Sequence, residues 1–361
     1  MKKLIITKLL VLNIIFVFAQ APSGYYYSAN GKNKAELKTA LYNIIKGHTV
    51  RSYNNLWTDF QTTDKRADGK VWDMYSNCTF TFITDQCGNY SNVCDCYNRE
   101  HSFPKSWFND ATPMYSDLFH LYPTDGYTNG RRSNFPFGEV GNITWSGNNG
   151  SKLGTAKSDL GYSGTVFEPA DEYKGDFART YFYMVTRYEN VVASWYSNTE
   201  AKPTINGTTY PAFTLWTQQL LLIWSRQDPV SQKEIDRNNA VYGIQNNRNP
   251  FIDHPELAEY IWGDSIAFVW NNGGTTDIDE IELLKPKIYP NPVTSELRVN
   301  SEDLRINSVE ILDITGKKIL GTYSLLDTHY LILDTNSLPQ GIYFVKILTD
   351  KGLFVEKIIK N

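Results

Sequence analysis

The sequence has no excess of basic charge, few histidines and, beyond its first two dozen residues, no long hydrophobic run. Lys and Arg total 35 against 39 Asp and Glu, a formal net charge of −4. Residues 22–270 keep the same balance, with 22 basic and 26 acidic side chains, again −4. A protein that holds nucleic acid tightly through its phosphates is usually basic. The balance therefore argues against a static DNA-binding module. It leaves room for an enzyme that binds briefly through a local cationic cleft and a metal. The apolar stretch "LLLIW" at 220–224 is far too short to cross a bilayer, so no stable membrane insertion is expected of the mature protein.

Cysteine is also scarce: the chain has four, Cys78, Cys87, Cys94 and Cys96. Their C-x8-C-x6-C-x-C spacing lacks the paired C-x2-C hooks of a zinc site. An even, clustered set in an exported chain instead predicts two disulfides, with three pairings open.

What is present begins with "MKKLIITKLLVLNIIFVFAQAPSG", two lysines, an apolar stretch and small residues at Ala19 and Ala21. This is expected to be a signal peptide over 1–21. Aromatics at 14%, together with abundant Asn, Ser, Thr, Tyr and Gly, suit a loop-rich extracellular protein. The length, 361 residues, suits two domains.

Residues 22–270 read as one mixed domain. Leu37, Leu41, Ile44 and Ile45 share a helical face in 34–48, with Asn33 as cap. Segments 176–189 and 213–227 are helical and apolar enough to be mostly buried. Segment 229–245 opens with a capping box, Ser231 and Glu234. Between the first helix and these lies a long irregular stretch, 52–165, of the sort that is functional or disulfide-held. Residues 271–286 read as a linker. Residues 287–361 read as a small β-sandwich whose turns include Thr315-Gly316 and Asp350-Lys351-Gly352.

Candidate chemistry gathers in 97–138, "YNREHSFPKSWFNDATPMYSDLFHLYPTDGYTNGRRSNFPFG". A first strand carries Glu100 and His101 and stops at Pro104. A second, "SDLFHLYP", carries Asp117 and His120 and stops at Pro123. A polar cluster follows, with Asn129, Arg131, Arg132 and Asn134. Neighbours on a strand point to opposite faces, so Glu100 and His101 need an irregular strand end to serve one site. These residue types suit metal-assisted phosphodiester cleavage. Mg²⁺ takes oxygen ligands and keeps several waters, so Glu100 and Asn129 suffice as protein ligands. Histidine can take a proton from water at neutral pH, and arginine can hold a phosphate by paired hydrogen bonds. His48, His254 and His329 stand alone and read as structural.

Five blocks, "YNREHSFPKSW", "SDLFHLYPTD", "NGRRSNFPFG", "FEPADEYKGDFARTYFYM" and "QNNRNPFIDHPELAEYIW", resemble in order those of the endonuclease I family of secreted nucleases. The resemblance implies an α+β fold, with a ββα-metal (His-Me finger) core surrounded by helices and, in this chain, followed by the β-sandwich. It implies His101 as general base, Glu100 as metal ligand, and Asn129, opening the N-G-x-R-x-N helix, as second ligand. The ion would be Mg²⁺ or another divalent cation such as Ca²⁺ or Mn²⁺. Phe119 stands where the family often has a histidine; His120 keeps the other polar place and is expected to orient the site or help stabilise the transition state. Some members carry a phosphate-contacting arginine between the two strands. Residues 102–116 hold only Lys105 as a cation, so Arg132 is nominated as phosphate or scaffold contact.

The tail motifs "YPNPVTSEL", "ILDITGKK" and "LPQGIYFVKI" resemble the C-terminal sorting domain of the type IX secretion system. That implies passage through the periplasm to the exterior or cell surface, with the secretion machinery as partner.

The expected function is thus a monomeric, secreted, divalent-metal-dependent endonuclease that cuts DNA, and RNA as well, with little sequence specificity and leaves 5′-phosphate ends. Two rivals are a secreted glycan hydrolase using carboxylates among Glu168, Asp171 and Glu172, and a non-catalytic surface adhesin. Glu168, Lys174, Asp176 and Arg179 otherwise read as ion pairs or caps. Arg248 is expected to pair with an acid, although it and Asn247 could line a groove.

Overall fold

The computed structural model describes residues 21–272 and 286–361, apart from 302–303, 315, 320–322, 326–328 and 350–352. Apart from end residues, the expected signal peptide and linker lie outside the described residues, as do Thr315 and Asp350-Lys351-Gly352 of the expected turns. Two compact units divide between Asn272 and Gly273.

In the first unit, α1 (Lys34–Ile45) buries Leu37, Leu41 and Ile45, spaced one helical turn apart along one face. Asn33 occupies its N-cap position, but its amide donates to the Ile266 carbonyl instead of capping the helix. A short α2 (Leu56–Thr63) follows.

An antiparallel pair comes next, β1 (Tyr97–His101) and β2 (Leu121–Asp125), in a register running from Tyr97↔Asp125 to His101↔Leu121. The second strand therefore starts after His120 and runs through Pro123, which pairs with Arg99, rather than ending there. In a two-stranded sheet both strands are edges, so a residue without an N–H is tolerated.

Helix α3 (Gly126–Arg132) begins directly at the end of β2. It opens at Gly126, not at Asn129, because the Asp125 side chain accepts the Thr128 N–H as N-cap. A three-stranded antiparallel sheet follows, β3 (Val140–Ser146), β4 (Lys152–Ala156) and β5 (Thr165–Glu168).

All fourteen residues of α4 (Lys174–Arg187) are buried, so this helix runs through the middle of the core. Three of its four charges are paired: Arg179 with Glu234 at 2.5 Å, Asp176 with Lys233 at 2.7 Å and Lys174 with Glu168 at 3.0 Å, while Arg187 donates to His48 Nδ1. Around it lie α5 (Leu215–Gln227), α6 (Gln232–Gln245), α7 (Pro250–Asp253) and α8 (Leu257–Ile261). The capping box read from Ser231 and Glu234 is formed at the start of α6. Arg248 pairs with Asp253, and both it and Asn247 are buried, so neither lines an open groove.

The second unit is all-β. Its strands are β6 (Lys287–Tyr289), β7 (Glu296–Asn300), β8 (Ile306–Leu312), β9 (Lys318–Ile319), β10 (Tyr323–Leu325), β11 (Tyr330–Asp334), β12 (Gly341–Thr349) and β13 (Leu353–Lys360). They form two antiparallel four-stranded sheets, ordered β10-β11-β7-β6 and β13-β12-β8-β9. Leu297, Val299, Leu331 and Leu333 from one sheet share a core with Ile311, Val345, Ile347 and Ile358 from the other. Alternation of buried and exposed positions along β7, β11 and β12 produces that core. The whole chain is thus α+β followed by an all-β region.

Candidate active site

The site grows from the alternation along β1. Asn98 and Glu100 face α3: the Asn129 Nδ2 donates to Asn98 Oδ1 at 2.7 Å, and Arg132 lies 3.1 Å from Glu100. Arg99 and His101 face the other way, toward Tyr53, whose ring is stacked on His101 with centroids 5.7 Å apart. Glu100 and His101 thus sit at the C-terminal end of the strand and approach its end from opposite faces.

Glu100 is buried, and its Oε1 accepts the Tyr75 hydroxyl at 2.8 Å. Burial pushes its carboxyl above the ordinary value, while the Arg132 charge, the Tyr75 hydroxyl and the His101 N–H pull it back. Arg132 is only 1% exposed. Its guanidinium donates to the carbonyls of His101 at 3.0 Å and Ser102 at 2.6 Å, as well as pairing with Glu100. Such a buried, occupied group ties α3 to β1. The expectation that it contacts phosphate does not fit this placement, and the scaffold alternative does.

His101 Nε2 lies 3.0 Å from the Tyr115 carbonyl. A carbonyl can only accept, so Nε2 carries the hydrogen and Nδ1 holds the lone pair. Burial, reinforced by the neighbouring His120 ring, keeps the imidazole well below its ordinary pKa and therefore neutral at neutral pH. His120 is fully buried, with its Nε2 2.7 Å from the Met114 carbonyl and its ring 5.5 Å from that of His101. Its ring packs beside that of His101. Burial also lowers its pKa, against the opposing pull of Asp117.

Asn129 is the fourth residue of α3 and half-buried. Its Nδ2 donates to Asn98, and among the described residues no hydrogen bond engages its side-chain oxygen. Among the described residues no group of three or more His, Cys, Asp or Glu could hold a metal. The donors on offer are one carboxylate, Glu100, and one amide oxygen, Asn129. That pair fits a hard divalent ion that keeps most of its water.

The surroundings hold these elements in place. The disulfides are Cys78–Cys94 and Cys87–Cys96, which resolves the three open pairings. The Cys94 N–H donates to Asp125 Oδ2, so the disulfide-held segment is tied to the cap of α3. Gly126 and Gly130, one turn apart on α3, make room for the Tyr90 side chain: a Cβ at Gly126 would stand 2.6 Å from its ring and one at Gly130 2.5 Å from its hydroxyl. The buried Asp73 accepts the Asp125 N–H at 3.1 Å, and burial pushes its carboxyl up to about 7.

Tyr75, Asn98, Arg99, Tyr53 and Tyr115 were not expected at the site. The two-residue period of β1 would have identified Asn98 and Arg99 as partners of Glu100 and His101. Nothing local marks Tyr53, Tyr75 or Tyr115.

Of the three carboxylates proposed for glycan hydrolysis, Glu168 and Asp171 are engaged in ion pairs. Glu168 and Asp171 share the Lys174 ammonium at 3.0 and 2.8 Å. Glu168 is held by Lys152 as well, also at 3.0 Å.

The Endonuclease I family matches residues 33–256, and the secretion system C-terminal sorting domain matches residues 287–361. The chain is similar to the extracellular ribonuclease of Bacillus subtilis (strain 168), 37% identical over 243 residues, covering 66% of this chain and 78% of that protein. It is also similar to the Endonuclease-1 of Buchnera aphidicola subsp. Acyrthosiphon pisum, 28% identical over 137 residues, 38% of this chain and 44% of that protein. The extracellular deoxyribonuclease of Aeromonas hydrophila is 27% identical over 141 residues, 39% of this chain and 50% of that protein. The chain belongs to the Endonuclease I family, whose nucleases use divalent metals, and it carries a sorting domain of secreted or cell-surface proteins.

Proposed function

We propose that this member of the Endonuclease I family is a monomeric, secreted endonuclease that hydrolyses DNA and RNA with little sequence preference at a ββα-metal (His-Me finger) site built from β1, β2 and α3. The nuclease domain is placed at 22–270, after a signal peptide over 1–21. A linker over 271–286 leads to the sorting domain at 287–361, which engages the type IX machinery. RNA is included because the relative that aligns over the longer stretch is named a ribonuclease, and DNA because others are named deoxyribonucleases.

The observation that carries this reading is the hydrogen bond from His101 Nε2 to the Tyr115 carbonyl. It leaves Nδ1 as a base on a neutral ring at neutral pH. In the proposed reaction, Nδ1 takes the proton from a water that attacks phosphorus in line. The P–O3′ bond breaks and the departing O3′ takes a proton from water, which leaves a 5′-phosphate and a 3′-hydroxyl. Glu100 and Asn129 would hold the divalent ion, Mg²⁺ in this reading, which when bound supplies charge neutralisation at the phosphate and the leaving oxygen. Arg132 holds Glu100 against α3, and His120 backs the His101 ring.

The test is cleavage of plasmid DNA and of RNA by the full chain with Mg²⁺, Ca²⁺ or Mn²⁺ and with excess EDTA. Metal-dependent, EDTA-reversible cleavage of both is expected. Folded protein that cleaves neither with any of these ions would overturn the reading.

A further inference from the structure

The buried state of Arg132 leaves the phosphate-binding role unfilled, and a census of arginine partners points to a different residue. Arg132, Arg179, Arg237 and Arg248 each lie against a carboxylate, the buried Arg187 donates to His48 Nδ1, and the exposed Arg131 lies 5.8 Å from the Trp145 ring centroid on the α3 side. Arg99 is half-buried and has no carboxylate partner among the described residues. It has an aromatic one instead. Its guanidinium carbon lies 3.6 Å from the Tyr53 ring centroid and 4.4 Å from that of Trp57, and its Nη1 donates to the Tyr53 carbonyl at 2.7 Å.

Aromatic faces stabilise a cation without consuming its hydrogen-bond donors. Of the five N–H groups of the fork, one is spent on the Tyr53 carbonyl. The stack fixes the plane of the others. Arg99 and His101 are two apart on β1 and share a face, which puts their backbones roughly 6–7 Å from each other. Lys105, whose charge also bears on His101, is already paired with Asp110 at 2.8 Å. In a chain of net charge −4, a rigid guanidinium with no counter-ion beside the base is a local positive site that an anion would complete.

We propose that Arg99, clamped between Tyr53 and Trp57 on the His101 face of β1, binds a backbone phosphate of the nucleic acid substrate. The inference rests on the nuclease reading above. Its rival is a purely structural role, in which Arg99 only staples Tyr53 and Trp57 to β1.

The experiment measures binding of a fluorescent DNA duplex to the full chain in excess EDTA, over a series of salt concentrations, for wild type, Arg99→Met and Arg99→Lys. Thermal melting is measured beside it. Arg99→Met is expected to weaken binding roughly 10- to 100-fold. It should also lower the slope of log affinity against log salt by about 0.9, the value for one duplex phosphate contact. Arg99→Lys should keep the slope but lose part of the affinity, because charge survives and the fork does not. A lowered melting temperature with unchanged slope and affinity in Arg99→Met would overturn the proposal in favour of the staple. If Arg99→Met does not fold, a folded Arg99→Lys that binds as tightly as wild type overturns it. Wild type that neither binds nor cleaves brings down the nuclease reading itself. Wild type that cleaves, with Arg99 variants binding normally, brings down only this inference.

Discussion

The Glu100 carboxylate lies 3.1 Å from the Arg132 guanidinium, and both side chains are almost wholly buried. Removing one partner of a buried pair strands the other charge, at a cost of about 3–5 kcal/mol. Arg132→Met should therefore lower the unfolding free energy by about that amount, as measured by denaturant titration. The Glu100→Gln/Arg132→Met double variant should recover part of the loss. Strict additivity of the two single effects would contradict a direct pairing.

Asn129 is half-buried and offers its carbonyl oxygen, so Asn129→Ala should weaken the metal more than the fold. The Mg²⁺ concentration for half-maximal cleavage should rise, while the melting temperature changes little. An unchanged metal requirement would remove Asn129 from the ligand set.

Burial holds the His101 pKa well below 6.5, and a general base works only when unprotonated. As pH falls, the neutral ring therefore persists past the ordinary histidine value. The acid limb of kcat/KM is expected below pH 6.5, a midpoint found from initial rates across a pH series. A limb at or above 6.5 would mean that the base is solvated, or is a different group.

Asp117 lies at the centre of a buried network, with its Oδ2 accepting hydroxyls from Tyr183 at 2.8 Å and Tyr188 at 2.7 Å and its Oδ1 accepting Gln245 at 3.0 Å. Burial raises its pKa, but His48, His120 and these hydrogen bonds outweigh it and hold the carboxyl down at about 2. Because the folded value lies below the unfolded one near ~3.9, its stabilising contribution is present above that value and is lost as pH falls toward 2. Asp117→Ala strands several buried donors, each costing about 1–3 kcal/mol. It should unfold at markedly lower denaturant, and its stability should depend less than wild type's on pH between 4 and 2.

Much of this was legible in the sequence, because its signals are local. Helix periodicity placed α1, α4 and α5, and Ser231 with Glu234 announced the start of α6. β-Rich runs and turn residues marked the all-β tail. Cysteine spacing yielded disulfides without their pairing, which depends on the path of the chain. The second strand was misplaced because Pro123 reads as a stop, whereas an edge strand tolerates it. The sequence left Arg132 open between phosphate and scaffold contact because its neighbourhood is polar, while its burial comes from Tyr181 and the carbonyls of 101 and 102, far apart in the chain or across the strand. Tyr53 and Tyr75 reach the site from segments tens of residues upstream, so no motif around Glu100-His101 could reveal them.

The most direct test of the account is plasmid nicking by the full-length protein and its His101→Ala variant, with Mg²⁺ and with excess EDTA, alongside thermal melting of both. The account predicts metal-dependent nicking by wild type, reduced by about 10²–10⁴-fold in a variant that still folds. Full nicking by folded His101→Ala would contradict it.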